Sequence, residues 1–479
     1  MRLLAPNVQY VHKWACQSGC SCGGGAFVKR PHGVESRRVK WLRPILLGLL
    51  AGGALLAGLW LGRLPPALQR GTPAPRLEKR VVTRTFHPAA RPPPASVSDA
   101  ATSNEPAPAV RMSAEERQLL KLQRKLDKPG AKPNEALLKF ASAEALRAFL
   151  ARAEKAGVKI FGQLGGQNAA RVGYEQLGQL RDALGADAEA ELTIEPNYFA
   201  HVPDILQKED RPSGSGTTEF TGASFFQALG ATGDRSGWGV GVMVAIVDSG
   251  VENHPTFADH QVTHVDLVND GQPFDGHGTA MASLVGGGNW QAAGVAPGVQ
   301  ILDIRVADAN GSSDSFTLAL GITQAADSGA HIINISLGSY GDSFAVREAI
   351  AHAMGKGSVV IASAGNDSSA NMLSFPASLP KVIAVGGVDA NFSQAYFSNS
   401  GPNLDLVAPA VGIRSAYGKS YVIVGDGTSQ AAALTSGVLA QALASGATIT
   451  ANAAEWLKQR AKALGLAPER GGAGLVQVK

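Results

Sequence analysis

Four side chains of complementary chemistry stand at the borders of apolar runs in this chain. Asp248 directly follows the run VMVAIV (242–247), and His277 opens the stretch HGTA (277–280). Asn366 follows the run SVVIAS (358–363) and the small turn Ala364-Gly365, and Ser429 sits in GTS (427–429) just ahead of an apolar stretch, 430–440. A serine hydroxyl is a poor nucleophile until a base takes its proton. Histidine is the side chain whose ordinary pKa suits that exchange near neutrality. An acid on the other ring nitrogen fixes the tautomer and stabilises the imidazolium. A serine at a helix N-terminus also offers its own N–H to a developing oxyanion, and an asparagine amide can donate to the same oxygen. Taken singly, each residue has a plainer reading: a turn aspartate, a structural histidine, an N-cap serine, an asparagine after glycine. Together at four element ends, they assemble the parts of acyl transfer.

The elements that must position them read as alternating strands and helices. Continuous apolar runs recur at 242–247, 300–304, 331–335, 358–363 and 381–385. Such runs suit strands of a parallel sheet, which is covered on both faces. Helical stretches at 280–287, 315–328 and 344–356 lie between them. The pattern predicts an α/β fold with a doubly wound, mostly parallel sheet over residues 219–479. Sites in such sheets lie at the carboxyl ends of the strands, where Asp248 and Asn366 fall.

The blocks VAIVDSGV (244–251), HGTA (277–280), NISLG (334–338), SAGN (363–366) and GTSQA (427–431) resemble the signature blocks of the subtilisin family, as does the order Asp, His, Ser. The closing segment GAGLVQV (472–478) is similar to a strand that ends many members. The resemblance implies a serine endopeptidase with Asp248, His277 and Ser429 as catalytic triad and Asn366 in the oxyanion hole. It also implies that Ser336, Leu337 and Gly338, with Ser363, Ala364 and Gly365, flank the substrate pocket and pair with substrate backbone. Asp367 beside that pocket would favour basic residues. The chain departs from the family's habit in three places: Gln430 stands where many members carry Met, Ala433-Leu434 where Pro-His is usual, and HisGlyThrAla where HisGlyThrHis is common. The stretch between His277 and ValAlaPro (295–297) is short, so the calcium loop of several relatives is not expected, and no metal or cofactor is assigned. A sedolisin-type acid peptidase would need Glu at His277 and Asp at Asn366. A non-catalytic scaffold, or a permanently locked precursor, would leave the intact acid, base, nucleophile and amide without a use.

Ahead of this region, residues 134–198 read as β-α-β-β-α-β, a ferredoxin-like α+β unit. It resembles the inhibitory propeptide of the same family, ending at GluProAsnTyr (195–198). Residues 199–218 read as a linker, polar and Gly/Ser-rich over 205–218, with a self-cleavage site expected between Tyr198 and Phe220. Further upstream, residues 63–133 combine a Pro/Ala-rich linker with a short helix capped by Ser113. Residues 44–62 (PILLGLLAGGALLAGLWLG) are long and apolar enough to span a bilayer as an anchor, and otherwise read as the h-region of a cleaved signal peptide. The basic segment 1–43 before them should stay in the cytoplasm. The chemistry is therefore expected outside the cytoplasm, at the inner or plasma membrane, with secretion after processing as the other outcome. The positive charge is confined to this end: residues 1–112 hold 16 Lys/Arg against 4 Asp/Glu, and the rest 27 against 35. A basic face for nucleic acid is thus not expected; the expected partners are protein or peptide substrates, the chain's own propeptide and a membrane. Cys16, Cys20 and Cys22 are the chain's three cysteines, so no disulfide can staple the later regions. With His12 they lack paired Cys-x-x-Cys knuckles, and they read as reduced thiols.

Overall fold

Helix α1 (Ala114–Leu126) opens on a capping box: the Ser113 hydroxyl accepts from the Glu116 amide, and the Glu116 side chain reaches back to the Ser113 N–H. It belongs to a computed structural model that describes residues 112–185, 192–214, 216–289, 291–447 and 452–478. The apolar segment 44–62, its basic flank and the three cysteines lie outside the described residues. Among the described residues, no helix is long and apolar enough to cross a membrane.

The first unit follows as β1 (Ala131–Lys139), α2 (Ala143–Ala153), β2 (Lys159–Leu164), β3 (Ala169–Gly173), α3 (Leu177–Leu184) and β4 (Thr193–His201). The strands pair antiparallel in the order β2-β3-β1-β4, a ferredoxin-like arrangement. Alternation along β1 divides its side chains between two cores. Ala136 and Leu138 face α2 and α3 with Phe149, Val172 and Leu180, while Leu137 joins Leu164, Ala169 and Ala200 on the opposite face. Two boundaries differ from the sequence reading. β1 begins three residues before 134, where Pro133 and the left-handed Asn134 (φ 60°) make a bulge against β4. β4 runs to His201, into the expected linker, because its last residues find a partner: Phe199–His201 pair antiparallel with β8 (Ser312–Asp314) of the second unit.

The second unit is built on a seven-stranded sheet. Its strands are β5 (Met243–Asp248), β6 (Val262–Asp266), β7 (Gln300–Arg305), β9 (Ile332–Ile335), β10 (Val359–Ser363), β11 (Ile383–Val388) and β12 (Leu406–Pro409). Their order is β12-β11-β10-β9-β5-β7-β6, with every neighbouring pair parallel. Val244 and Ile246 face one core, packed with α5 (His277–Gly286) and α8 (Thr428–Ala444). Ala245 and Val247 face the other, packed with α6 (Ser315–Asp327) and α7 (Phe344–Gly355). Helices on both faces make the sheet doubly wound. A hairpin of β13 (Ile413–Tyr417) and β14 (Tyr421–Gly425) precedes α8.

Candidate active site

Asp248 is the last residue of β5 and is fully buried. Its carboxylate accepts from the Ser249 amide at 2.7 Å and stands 2.9 and 3.0 Å from His277 Nδ1. His277 is the first residue of α5, three positions ahead of the expected helix start, and only 2% exposed. Two loops must nearly touch to bring these residues together. A Cβ on Gly278 would fall 2.5 Å from the Gly250 carbonyl oxygen, so glycine is required there. Burial is the largest influence on His277 and alone would lower its pKa. The Asp248 carboxylate, aided by Asp275 and Asp204, more than offsets it and leaves the pKa raised.

Ser429 is the second residue of α8, inside the helix rather than ahead of it, so its N–H has no carbonyl one turn back to bond. Helices α5 and α8 run side by side. A Cβ on Gly437, eight residues after Ser429, would lie 3.4 Å from the carbonyl oxygen of Val285, eight residues after His277. The two helices, which carry His277 and Ser429 in their first turns, thus touch eight residues along each. The Ser429 hydroxyl donates to the Ser336 carbonyl at 3.4 Å. Asn366 turns its Oδ1 to the Thr428 amide (2.9 Å) and hydroxyl (2.7 Å), and its Nδ2 has no hydrogen-bond partner among the described residues. The same orientation ties Asn366 to the first turn of the helix that carries Ser429.

Leu337, Gly338, Ser363, Gly365 and Asn366 line one cleft of about 450 Å³, together with Tyr340 and Asp367. Ser336 is buried behind it, against Ser429, and Ala364 is buried in the core of the α6/α7 face. The Asp367 carboxylate is exposed, is engaged by the Tyr340 hydroxyl and faces Asn399 Nδ2 at 3.5 Å. The chain's own segment crosses this cleft. His201 and Gly338 exchange both backbone hydrogen bonds (3.0 and 3.1 Å), and the Val202 amide donates to Gly311 at 2.8 Å. Further on, Leu206 and Asp426 pair in the same antiparallel manner (3.3 and 2.8 Å). Residues 203–205 thus lie between two backbone anchors, one on Gly338 and Gly311 and one on Asp426, three residues ahead of Ser429.

Two polar pairs were not read from the sequence. Asp303, 1% exposed within the apolar run QILDIR, accepts from the Val251 amide and stands 3.0 Å from His264 Nδ1. It thereby braces the loop that follows Asp248. Arg211 clasps the buried Asp426 with Nε at 2.7 Å and Nη2 at 2.8 Å, just ahead of Ser429. An aspartate inside an apolar strand was the available signal for the first; nothing local marks the second.

The subtilase family model matches residues 239–471. Alkaline elastase YaB of Bacillus sp. (strain YaB) is 37% identical over 209 residues, which are 42% of this chain and 54% of that protein. The match thus spans about half the length of that relative. Subtilisin Savinase of Lederbergia lenta is 35% identical over 217 residues, 44% of this chain and 79% of that protein. Among solved structures, fervidolysin from Fervidobacterium pennivorans superposes with a TM-score of 0.62 at 24% identity, over 73% of this chain and 61% of that one. With four-fifths of a subtilisin matched at that identity, on a fold and residue constellation of the same order, the chain belongs to the subtilase family.

Proposed function

We propose that the protein is a serine endopeptidase, made as a membrane-targeted precursor whose first unit fills the active site until the chain cuts itself. The observation that carries the enzymatic reading is the buried Asp248–His277 pair, on a helix packed against the one whose first turn holds Ser429. In this mechanism the Ser429 hydroxyl turns from the Ser336 carbonyl to His277 Nε2 as substrate arrives; such bonds often tighten only in the reacting complex. His277 takes the proton as Oγ bonds to the scissile carbonyl carbon. Asp248 holds the Nδ1 proton throughout. The carbonyl oxygen, now an anion, accepts from the Ser429 N–H and Asn366 Nδ2. Collapse breaks the C–N bond, and the leaving amine takes the proton from His277. Water then repeats the sequence on the acyl-enzyme and frees Ser429.

The precursor reading rests on how the first unit meets the second. β4 adds to β8, and two of its side chains sit at helix starts: Glu195 accepts from the Ser343 hydroxyl and the Phe344 amide at α7, and Asn197 from the Ser315 hydroxyl and the Phe316 amide at α6. The segment that follows lies across the cleft as a substrate would, with the cut falling within residues 202–206. The apolar segment 44–62 and its basic flank support a membrane anchor, so cutting would free the second unit from the membrane.

A fluorophosphonate serine probe should label the wild-type protein and not Ser429→Ala. Peptide hydrolysis should fall by about 10⁶ in that variant, the loss found for the corresponding serine in subtilisin. Activity within tenfold of wild type would sink the enzymatic reading. Wild-type protein should also yield a soluble fragment starting within residues 203–206, while Ser429→Ala stays whole in the membrane fraction. A fragment starting ahead of residue 131, or equal release from Ser429→Ala, would sink the precursor reading.

A further inference from the structure

The hairpin strand β14 leads straight into the active site, and its outer edge is open. Asp426, next after β14, turns both its N–H and its C=O outward to Leu206. Strand backbone groups alternate sides every residue, so Val424 and Val422 turn theirs the same way. An independent contact agrees. Ala416, the β13 partner of Val422, donates its N–H away from the hairpin to Ser283 Oγ at 2.9 Å. Ala416 and Val422 are therefore a rung without mutual hydrogen bonds, and the Val422 groups also face out. No described residue hydrogen-bonds to the outward groups of Val422 or Val424. Their side chains are 40% and 44% exposed, beside Tyr421 at 72%. An open apolar strand edge is a liability that proteins normally blunt with charge or cover.

The chain's own path shows what fits. From Leu206 onward, an extended strand would run antiparallel along β14, its second residue meeting Val424 and its fourth Val422. In this chain those places fall to Lys208 and Asp210, and the backbone instead coils into a single 3₁₀ turn, Lys208–Asp210, capped by the Asp210 carboxylate on the Gln207 amide. The edge is left free by its own linker and is continuous with the rung that holds Leu206.

We propose that β14 is an extended substrate-binding edge: the substrate chain downstream of the cut continues past the Asp426 rung and adds as a strand, with β-branched or aromatic apolar residues opposite Val424 and Val422. The proposal rests on the endopeptidase reading and specifies its substrate class as segments that stay extended and apolar for several residues beyond the cut. Such addition combines main-chain hydrogen bonds with cross-strand side-chain pairs.

The test compares steady-state kcat/KM of the purified protein on two peptides. The short one copies residues 198–206; the long one adds four residues with valine at the second and fourth places. Two added rungs should raise kcat/KM about tenfold. The gain should vanish when the two valines are N-methylated, and the long-to-short ratio should fall toward one in Val424→Pro, which lacks the outward N–H. Equal rates on short and long peptides, or a gain that survives N-methylation, would overturn the edge while leaving the peptidase reading in place. Failure to cut either peptide would overturn the peptidase reading, and this inference with it.

Discussion

The two sheets of this protein are built to opposite specifications. The parallel sheet of the second unit is sealed on both faces, and every residue of β9, β10, β11 and β12 is buried. The antiparallel sheet of the first unit completes only one face with its own helices. Its other face, with Leu137, Leu164, Ala169 and Ala200, is finished by Phe316, Ala345 and their neighbours on α6 and α7. Around that shared core the contact is polar and titratable: Lys132 and Arg171 meet Asp314 at 3.2 and 3.1 Å, and Lys139 pairs with Glu348. A site that must hold atoms in fixed positions stands on the sealed frame. On the proposed precursor reading the first unit leaves after the cut, and the ion pairs around its apolar contact are ones that water can replace. The contrast also suits folding, since parallel pairings are non-local and slow, and a docked partner offers α6 and α7 a ready surface.

If the sealed frame preorganises the oxyanion donors, removing one should act on turnover and not on affinity. Asn366→Ala should lower kcat by about 10²–10³ with KM nearly unchanged, the range known for the corresponding asparagine of subtilisin. A defect mainly in KM would mean that Asn366 holds substrate, and that the frame around Thr428 serves binding.

The docking of the first unit should respond to pH. Burial pushes Glu195 up to about 7, against the opposing pull of the Ser343 hydroxyl and the Phe344 amide. The docked state then binds a proton that the released state, with an ordinary carboxyl, gives up above about 4.5. This contribution to docking is complete below that value and is lost as pH rises through about 7. The first unit should dissociate more readily at pH 8 than at pH 5, by about tenfold to a hundredfold in Kd. The positive end of α7 favours the charged form and trims the effect. The docked Asp314 has a lowered pKa, despite its burial, because of Arg171 and Lys132, so its change falls below this window. Fluorescence or gel-filtration measurement of release after self-cleavage checks the trend, which Glu195→Gln should flatten. A Kd that is constant or falls toward pH 8 would break the comparison.

Legibility in the sequence followed the same division. Five of the seven parallel strands, β5, β7, β9, β10 and β11, were readable because burial on both faces writes itself as a nearly continuous apolar run. The sheet-edge strand β6 (VTHVD) was missed because its side chains are half exposed and partly polar. β8 (SSD) was missed because its pairing is dictated by β4 and not by its own side chains. Asp248, His277, Asn366 and Ser429 were legible because each stands at an element border, where composition changes abruptly. His264–Asp303 and Arg211–Asp426 join residues 39 and 215 positions apart, and no local pattern could announce them. The linker looked free because its composition is polar, yet its Arg211 is held by a carboxylate buried beside the nucleophile.

The smallest expected effect tests where the two units meet. Asp204 lies between the two backbone anchors and acts on His277 as one of the charges that raise its pKa. Hydrolysis needs His277 neutral, so the rate should climb as pH rises through that raised value, with a midpoint above the ordinary imidazole pKa of about 6.5. During self-cleavage Asp204 is present by necessity; during hydrolysis of an uncharged peptide it need not be. The midpoint for self-cleavage, followed in single-turnover runs on the precursor, should therefore lie above that for a neutral peptide, by roughly a few tenths of a pH unit for a charge that is neither the nearest nor bonded. Asp204→Asn should bring the two profiles together while leaving the peptide profile in place. A self-cleavage midpoint at or below the peptide value would mean that Asp204 does not act on His277. A peptide midpoint well below 6.5 would mean that burial outweighs Asp248 at His277, and that the sealed frame disfavours the imidazolium it encloses.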